Sequence, residues 1–501
     1  MLVNVISSIG LKFNYGKSSA IACYVMRTTY FPRMLKAERG ACLPIDLGGK
    51  LSGLSLNQQI VALALWPFLQ NILGVAVGFS DRIIAGHIST EANHESIMDM
   101  MGVMMYIGWL MLIMQGAIAT GAQALVSRAF GAKDYKLAEK ATAQSILLGV
   151  LTGIFAGVAL WLLAPVLAWF FQLNDQASGF FLDFMNILVF SAPLSGILFV
   201  CSSCFRGAGD TWTPFNAIAM VNIVNVAVSW YLAVQLGMGL EGVAWGTVIG
   251  WGIGAFIILW KLRANEKKDR ILRVRKEDLV LDLPVIRRIV KVGLPQLFEV
   301  LGMWAIHAYG IKMITQIGNP DEGLIGSHGL AIQIESLSFM PGFALGTAAA
   351  TLAGQYLGAE SKEMAAKAVR ACWRIAVVLM GTMGVVIFFC AEPLINLMSP
   401  GGGLQADRAI SLVMIVAIAQ PFFATAMVMK MSMRGAGATG TVMLFSYSIM
   451  LIFRVALLTF MVMHYGADLK MIWYIMTLDI MVQACVFVWV HFRGKWMNAV
   501  V

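Results

Sequence analysis

Three acidic residues lie in or beside long apolar stretches of this chain, where a charge is costly unless it has a function. Asp81 directly follows the first stretch, Glu299 lies in the seventh one turn after Pro295, and Glu335 lies inside the eighth. Ionisable residues inside a membrane are functional candidates by default. A desolvated carboxylate can carry a proton or bind Na⁺ through its oxygens. We therefore predict ion coupling at these three residues and expect no other metal.

Polar and adaptable side chains that share helix faces with these acids are candidates for lining a substrate cavity. Met303 and His307 follow Glu299 at four and eight positions, so the three residues share one helix face. For the polar trio in the fifth stretch, a hydrogen-bonded helix-packing set is the alternative. The candidate set is Asn222, Asn225, Ser229, Met303, His307, Gln333 and Arg454.

Each acid also has a structural alternative, in which it pairs with a basic residue and carries no ion. A carboxylate with a cationic partner is neutralised in place and does not need a transported ion to balance it. The candidate pairs are Asp81–Arg82, Glu299–Lys291 or Glu299–Arg288, and Glu335–Arg454.

The elements that carry these residues are membrane helices. Of the 501 residues 59% are hydrophobic and 13% are charged, a balance that excludes an ordinary water-soluble globule. A helix needs about 20 apolar residues to cross a bilayer, and lipid cannot satisfy an open backbone. Twelve stretches qualify, at 60–80, 98–127, 141–171, 181–205, 213–237, 242–262, 285–312, 328–354, 371–396, 409–433, 440–464 and 471–492.

The chain is internally duplicated. The sequence RGAGDT at 206–211 returns as RGAGAT at 434–439, 228 positions later. Pro67 with Pro295 and Pro193 with Pro421 keep this offset of 228, and Gly131 returns as Gly358 at an offset of 227. Matches in register across a whole half indicate a repeat. Each half holds six stretches, so we predict an all-α integral membrane protein. Its 12 transmembrane helices form two parallel six-helix lobes, related by a pseudo-twofold axis along the membrane normal.

Charge sets the expected domains and orientation. We predict a basic N-terminal extension at 1–57, an N-terminal lobe at 58–263, a basic linker at 264–283 and a C-terminal lobe at 284–501. Eleven of the 36 Lys and Arg residues lie between Lys261 and Lys291. The positive-inside rule then places both termini and the linker in the cytoplasm. The net charge of +9 reflects this topology and not nucleic-acid binding.

Five prolines are candidate hinges. Proline removes an amide donor and frees the carbonyl one turn back, which bends a helix. We expect two of them in the middle of the fourth and tenth helices, two in the first turns of the first and seventh, and one to interrupt the eighth. Simple packing kinks are the alternative. The candidates are Pro193, Pro421, Pro67, Pro295 and Pro341.

A family resemblance rests on the order of several motifs. These are GFSDRIIAG at 78–86, QALVSRAFGA at 123–132, RGAGDT at 206–211, LSFMPG at 337–342 and LAGQYLGA at 352–359. In this order, and recurring in both halves, they resemble the multidrug and toxic compound extrusion (MATE) family over residues 58–493. The resemblance implies two six-helix lobes in a V-shaped exporter, with entry of Na⁺ or H⁺ driving efflux of amphipathic, often cationic compounds.

Some of the candidate residues match the residues that the family uses, and others do not. Asp81 matches the helix-one aspartate that the family uses for cation or proton coupling. The chain departs from the family where it has Met303 in place of a helix-seven glutamate and Ser229 in place of a helix-five aspartate. It also has no acid between Ser411 and Lys430 in helix ten. The coupling ion, Na⁺ or H⁺, therefore stays open.

We expect a cation-coupled antiporter of a bacterial inner membrane that exports amphipathic, cationic small molecules by alternating access. A lipid-linked oligosaccharide or lipid flippase is the alternative. It would line its cavity with several basic residues, whereas this chain offers mainly Lys430 and Arg454. An enzyme is not expected because no clustered catalytic motif is present. The expected partners are a small-molecule substrate and membrane lipid, without nucleic acid or cofactor, and the chain is expected to be a monomer.

Overall fold

The computed structural model describes residues 47–90, 92–264, 272–317, 323–399 and 402–501, and in these ranges every regular element is a helix. Most of the predicted N-terminal extension 1–57 lies outside the described residues, as does part of the predicted linker. The bounds of the elements below are those of the described chain.

Sixteen α-helices follow one another in the described residues. They are α1 Leu56–Ile88, α2 His94–Gly131, α3 Tyr135–Phe170, α4 Asp175–Leu188, α5 Ser191–Gly207, α6 Trp212–Trp230, α7 Gly239–Ala264, α8 Leu283–Gln316, α9 Leu324–Ser338, α10 Met340–Gly358, α11 Lys362–Phe389, α12 Ala391–Met398, α13 Leu404–Gly435, α14 Thr439–Met450, α15 Leu458–Tyr465 and α16 Leu469–Arg493. A wide π-helical turn extends α6 over Tyr231–Gln235, and another, Leu451–Leu457, joins α14 to α15.

Short polar side chains mark where several helices begin. Each accepts a hydrogen bond from a backbone N–H three residues further on, which satisfies one of the free donors of the first turn. These N-caps are Asp134, Asn174, Asp282, Ser361 and Asp468.

The prediction of an all-helical membrane protein is confirmed. Within the described residues nine helices are long and apolar enough to cross a membrane, and two bent pairs raise this number to eleven. The 33-residue helix α1 carries the first predicted stretch. Each of the twelve predicted stretches thus lies on a helix or on a bent or widened pair of helices. We refer to α1–α7 as lobe one and to α8–α16 as lobe two.

The duplication extends to backbone conformation. Gly209 and Gly437, which are 228 positions apart, have φ of 90° and 89°. This is the left-handed region, which glycine enters without steric cost. Lys133 and Glu360, 227 positions apart, share φ of 59° and 60°. Equivalent loops in the two halves therefore fold in the same way.

Two of the five prolines lie just after a helix break, and three lie inside continuous helices. Pro193 is the third residue of α5, after a 57° bend from α4, and Pro341 is the second residue of α10, after a 45° bend from α9. The prediction that Pro67 and Pro295 interrupt the first turns is wrong. Both helices begin roughly three turns earlier and continue through the proline. Pro421 likewise lies within the continuous helix α13.

Buried side chains show how the lobes join. Lobe two has a core of its own, drawn mainly from α8, α9, α13 and α16. The first turns of α8 pack elsewhere, since Val285, Ile289 and Val292 belong to the same buried cluster as residues of α2, α3 and α5. The start of lobe two is thus packed into lobe one.

Candidate ion-coupling site and lobe junction

Asp81 lies in the last third of α1 with part of its carboxylate sealed from solvent. Its Oδ1 atom is buried and accepts no hydrogen bond from any described residue. Burying a carboxylate oxygen without a donor is unfavourable unless a proton or a cation compensates. A proton or a cation at this carboxylate would satisfy the free oxygen.

Two asparagines of α6 also have buried polar atoms without a partner among the described residues. These atoms are Nδ2 of Asn222 and Oδ1 of Asn225. The other amide atom of Asn225, Nδ2, donates to the Thr247 hydroxyl of α7 at 3.0 Å. Ser229 is also directed towards α7, since its Oγ donates to the Val243 carbonyl at 3.4 Å. Helix packing thus accounts for the contact of Ser229, whereas the asparagines keep free hydrogen-bonding capacity.

Helices α1 and α6 run side by side past these groups. The rings of Trp66 and Phe215 lie 5.1 Å apart, and those of His87 and Trp230 lie 5.3 Å apart. Asp81 on α1 and both asparagines on α6 fall between these two contacts in sequence. The unpartnered atoms of Asp81, Asn222 and Asn225 thus belong to one segment of the α1–α6 pair.

Glu299 of α8 has a charged partner that sequence did not predict. Its Oε1 accepts from Nη2 of Arg434 at 2.7 Å and from the Ser446 hydroxyl at 3.0 Å. The predicted pairs with Lys291 or Arg288 are wrong, because Glu299 is directed towards α13 and α14. Arg434 is the arginine of the second RGAG motif, so this ion pair fixes the end of α13.

A chain of polar contacts crosses the interior of lobe two. Lys430 Nζ donates to Oε1 of Gln483 at 3.0 Å, and Gln483 Nε2 donates to Oδ1 of Asp479 at 3.0 Å. Arg454 Nε in turn donates to Oδ2 of Asp479 at 2.6 Å. The proposed structural pair Glu335–Arg454 is therefore wrong, since the fully buried Asp479 takes that place. We call these four linked residues the lobe-two polar chain.

The other lobe-two candidates lie around Arg454. Its charge is within electrostatic range of Glu335, His307 and His328. The two histidine rings are 6.1 Å apart, and His328 also lies 5.4 Å from the ring of Trp473. Of the predicted cavity residues, Met303 is 42% exposed and Gln333 is also exposed. Structure thus brings His307, Glu335 and Arg454 together in lobe two, apart from the Asp81 segment in lobe one.

Sequence reasoning missed Asp479, although the signal was available. It is the single acid in the apolar stretch 471–492. Asp81 was selected because an ionisable residue in or beside an apolar stretch is a functional candidate, and the same reasoning applies to Asp479. No group of three or more His, Cys, Asp or Glu able to hold a metal occurs in the described part of the chain.

The lobes meet through a reciprocal junction at the end of the bundle that carries the RGAG motifs. Arg128 of lobe one donates through Nη2 to the carbonyl of Ala436 in lobe two at 2.9 Å. Gln355 of lobe two donates through Nε2 to the carbonyl of Gly207 in lobe one at 2.8 Å. Arg128 and Gln355 are 227 positions apart, so the duplication places the same kind of contact on both sides.

Close backbone packing accompanies these hydrogen bonds. A methyl group at Gly131 would collide with the backbone oxygen of Gln355, and one at Gly358 would collide with that of Arg128. Only a hydrogen in place of a side chain permits so close an approach of the two helices. We call this end of the bundle, which includes the linker, the linker side. The two lobes are in direct contact there.

The described part of the linker is attached to lobe one near this junction. Lys140 of α3 forms an ion pair with Asp282, the N-cap of α8. The hydrogen bond from Lys140, helped by the Val285 backbone N–H, holds the pKa of the Asp282 carboxyl below its usual range. This contact ties the start of lobe two to the first turns of α3.

Comparison with protein families gives a match that repeats as the chain does. The family model described as MatE matches residues 67–231 and again residues 295–467, once in each lobe. The match covers more than half of the chain.

Individual proteins agree with this match. The "Probable multidrug resistance protein NorM" of Thermotoga maritima is 26% identical over 448 residues, which span 88% of this chain and 93% of that protein. A structure described as an outward-facing conformation of a multidrug resistance MATE family transporter has a TM-score of 0.79 at 18% identity, over 89% of this chain and 97% of that chain. A transporter of the MOP superfamily from Pyrococcus furiosus, described as having a binding pocket of reverse polarity, has a TM-score of 0.81 at 17% identity, over 91% and 98%. At these identities the solved structures show the fold alone.

Proposed function

The chain belongs to the MatE family, and on this basis we propose that it is a cation-coupled antiporter exporting amphipathic, cationic small molecules by alternating access. Membership makes it a multi-pass membrane transporter and not an enzyme. The multidrug names of its relatives support the substrate class. Na⁺ or H⁺ entry would supply the driving force, and no further cofactor is required.

The buried, unpartnered Oδ1 atom of Asp81 is the observation that carries this proposal. An ion that enters its segment of α1 and α6 would neutralise the carboxylate. The Asn225 amide oxygen offers a second oxygen ligand if that ion is Na⁺. Glu335 is the candidate for a coupling site in lobe two, because Glu299 already has Arg434 as its partner.

Alternating access requires that the reciprocal junction separate. With Arg128 and Gln355 engaged, a solute cannot pass between the lobes on the linker side. Efflux would need a second state in which these contacts part and an opposite opening closes. Most of the cationic residues flank this side, so we place the linker and both termini in the cytoplasm and the chain in a bacterial inner membrane.

A lipid or lipid-linked oligosaccharide flippase is the second candidate. It rests on the three cations inside lobe two, Lys430, Arg434 and Arg454. Two of these are already neutralised, since Arg434 pairs with Glu299 and Arg454 pairs with Asp479. An interior with so little unpaired positive charge suits a cationic solute better than an anionic phospholipid headgroup.

Transport by the purified monomer in proteoliposomes tests the proposal. Uptake of a cationic fluorescent dye would be followed with a Na⁺ gradient alone, a proton gradient alone, or neither. Dye should accumulate against its own gradient in at least one of the first two conditions and not in the third. Movement only down the dye gradient in all three conditions would contradict antiport, and scrambling of a labelled lipid in place of dye transport would favour the flippase.

A further inference from the structure

The segment that joins the two lobes is held against α3 by one fully buried side chain. Gln144 donates through Nε2 to the carbonyls of Asp278 at 2.9 Å and Val280 at 2.8 Å. Its Oε1 accepts from the backbone N–H of Asp282 at 3.1 Å. All the hydrogen-bonding groups in use thus point at the linker backbone, and the Lys140–Asp282 ion pair adds a second attachment.

Attachment through the backbone leaves the side chains of this segment facing outward. Leu279 is 49% exposed, Val280 70%, Leu281 60% and Leu283 67%. Four neighbouring apolar side chains fixed in this way would be unfavourable in water. Removing apolar surface from water is favourable by about 25 cal/mol per Å². Contact with lipid or with apolar protein surface would therefore stabilise this segment.

The position of Gln144 along α3 indicates which layer surrounds the segment. The last charged residue before the span is Lys140, and residues 141–171 carry no charge. At about 1.5 Å per residue this run is roughly 46 Å long, close to the ~40–45 Å of a bilayer with its headgroup layers. Gln144 lies near the linker-side end of the run. The linker backbone bound to it therefore lies at the depth of the headgroups, not in bulk water.

Cationic side chains flank the apolar segment on both sides. Arg275 and Lys276 precede it, Arg287 and Lys291 follow it, and all four are exposed. Glu277 is an exposed acidic residue between these cations. Apolar side chains with neighbouring cations are the pattern by which proteins bind the interface of an anionic leaflet. A second copy of this chain would bring the same cations together and repel them.

We propose that residues 279–283 form a lipid-binding surface. The four apolar side chains insert into the interfacial layer of the linker-side leaflet, and Arg275, Lys276, Arg287 and Lys291 bind anionic phospholipid headgroups. Because Gln144 and Lys140 connect the segment to lobe one while α8 begins lobe two, the bound lipid contacts the connection between the lobes. This inference is independent of the transported substrate, so failure of the antiport proposal would leave it standing.

Lipid quenching of a probe in the full chain tests this surface. Cys485 and the other reactive cysteines would be replaced, Val280→Cys labelled with an environment-sensitive fluorophore, and the protein placed in vesicles of phosphatidylglycerol or phosphatidylcholine with brominated acyl chains. We expect blue-shifted emission that brominated phosphatidylglycerol quenches more than brominated phosphatidylcholine. Lys136→Cys, an exposed position before the charge-free run of α3, is the matched control and should show emission typical of water without quenching.

The variant R275Q/K276Q then tests the headgroup contacts. The preference of the Val280→Cys probe for phosphatidylglycerol should fall roughly fivefold for each cation removed, while Gln144 still anchors the segment. Water-like emission without quenching at position 280 would overturn the proposal. So would blue-shifted emission without lipid quenching, which would mean that protein covers the segment. Equal quenching by the two lipids would overturn the anionic specificity.

Discussion

Arg128 and Gln355 occupy equivalent positions in the two repeats and reach across the lobe junction in opposite directions. Each donates to a backbone carbonyl of the RGAG motif in the other lobe, at 2.9 Å for Ala436 and 2.8 Å for Gly207. Side chains of different type thus make the same kind of contact, with acceptors one position apart in the two motifs, because main-chain carbonyls do not depend on residue identity. The pair closes the linker side in this structure.

Removing either donor should favour opening on the linker side. A hydrogen bond from a charged donor contributes about 1.5–3 kcal/mol and a neutral one about 0.5–1.5 kcal/mol. Arg128→Ala should therefore shift the equilibrium by about tenfold or more, and Gln355→Ala by less. Distances between spin labels at positions 136 and 363, one in each lobe, measure the shift. Arg263→Ala, which removes an exposed cation at the end of α7, should leave the distances unchanged.

The glycines beneath this contact should not tolerate a methyl group. In a helix, Ala is preferred over Gly by about 1 kcal/mol, yet Gly131→Ala and Gly358→Ala place an atom against the backbone of the other lobe. We expect each to lower the free energy of unfolding by about 1–3 kcal/mol, as overpacking does. Gly102→Ala in α2, where nothing lies within 4 Å, is the matched control. Thermal unfolding that ranks Gly131→Ala with this control would contradict the close packing.

Neutralising Asp81 should uncouple transport. Asp81→Asn keeps the shape of the side chain but cannot release a proton or balance Na⁺, so gradient-driven dye accumulation in proteoliposomes should be abolished with normal expression and thermal stability. The exposed Asp99 of α2 supplies the control, and Asp99→Asn should transport as the natural chain does. Driven accumulation by Asp81→Asn at the natural rate would rule out its coupling role.

Glu299 and Arg434 should behave as a structural pair. Removing one member leaves a largely buried charge without its partner, at a cost of about 3–5 kcal/mol. Glu299→Met and Arg434→Met should each destabilise strongly, and the double variant should be less destabilised than the sum of the two. Chemical unfolding in detergent measures this coupling. If the stable double variant also loses its ion dependence of transport, Glu299 carries a coupling ion after all.

Attachment of the linker through Asp282 should weaken only in acid. Its pKa lies below the ordinary aspartate value of about 3.9 because Lys140 donates a hydrogen bond to the carboxylate. The folded form thus binds its proton less readily than the unfolded one, so the stabilisation is fully present above about pH 4 and is lost as pH falls through the lowered pKa. A spin label at position 277 should gain mobility only below about pH 4. In the Asp282→Asn variant the mobility of this label should not change with pH. A change in mobility between pH 5 and 7 in the unaltered chain would show that a group other than Asp282 controls the attachment.

Sequence alone predicted the membrane fold because its signals are local. Apolar stretches of sufficient length indicate spanning helices wherever they occur, and the duplication is a property of residue order. Even Asp479 could have been found, since its isolation in an apolar stretch resembles that of Asp81. Pro67 and Pro295 were wrongly assigned to first turns because proline is favoured there by local rules, and only the structure shows that both helices begin roughly three turns earlier.

What only the tertiary structure decided is which residues are partners. Glu299 pairs with Arg434, 135 positions away, and Arg454 pairs with Asp479 and not with Glu335. Such choices depend on how each helix is rotated and bent against its neighbours, and helical periodicity does not fix that rotation. The reciprocal contacts of Arg128 and Gln355 follow the same principle. Residue order shows that the two positions are equivalent, but only the packing of the lobes brings each donor to the carbonyl of the opposite motif.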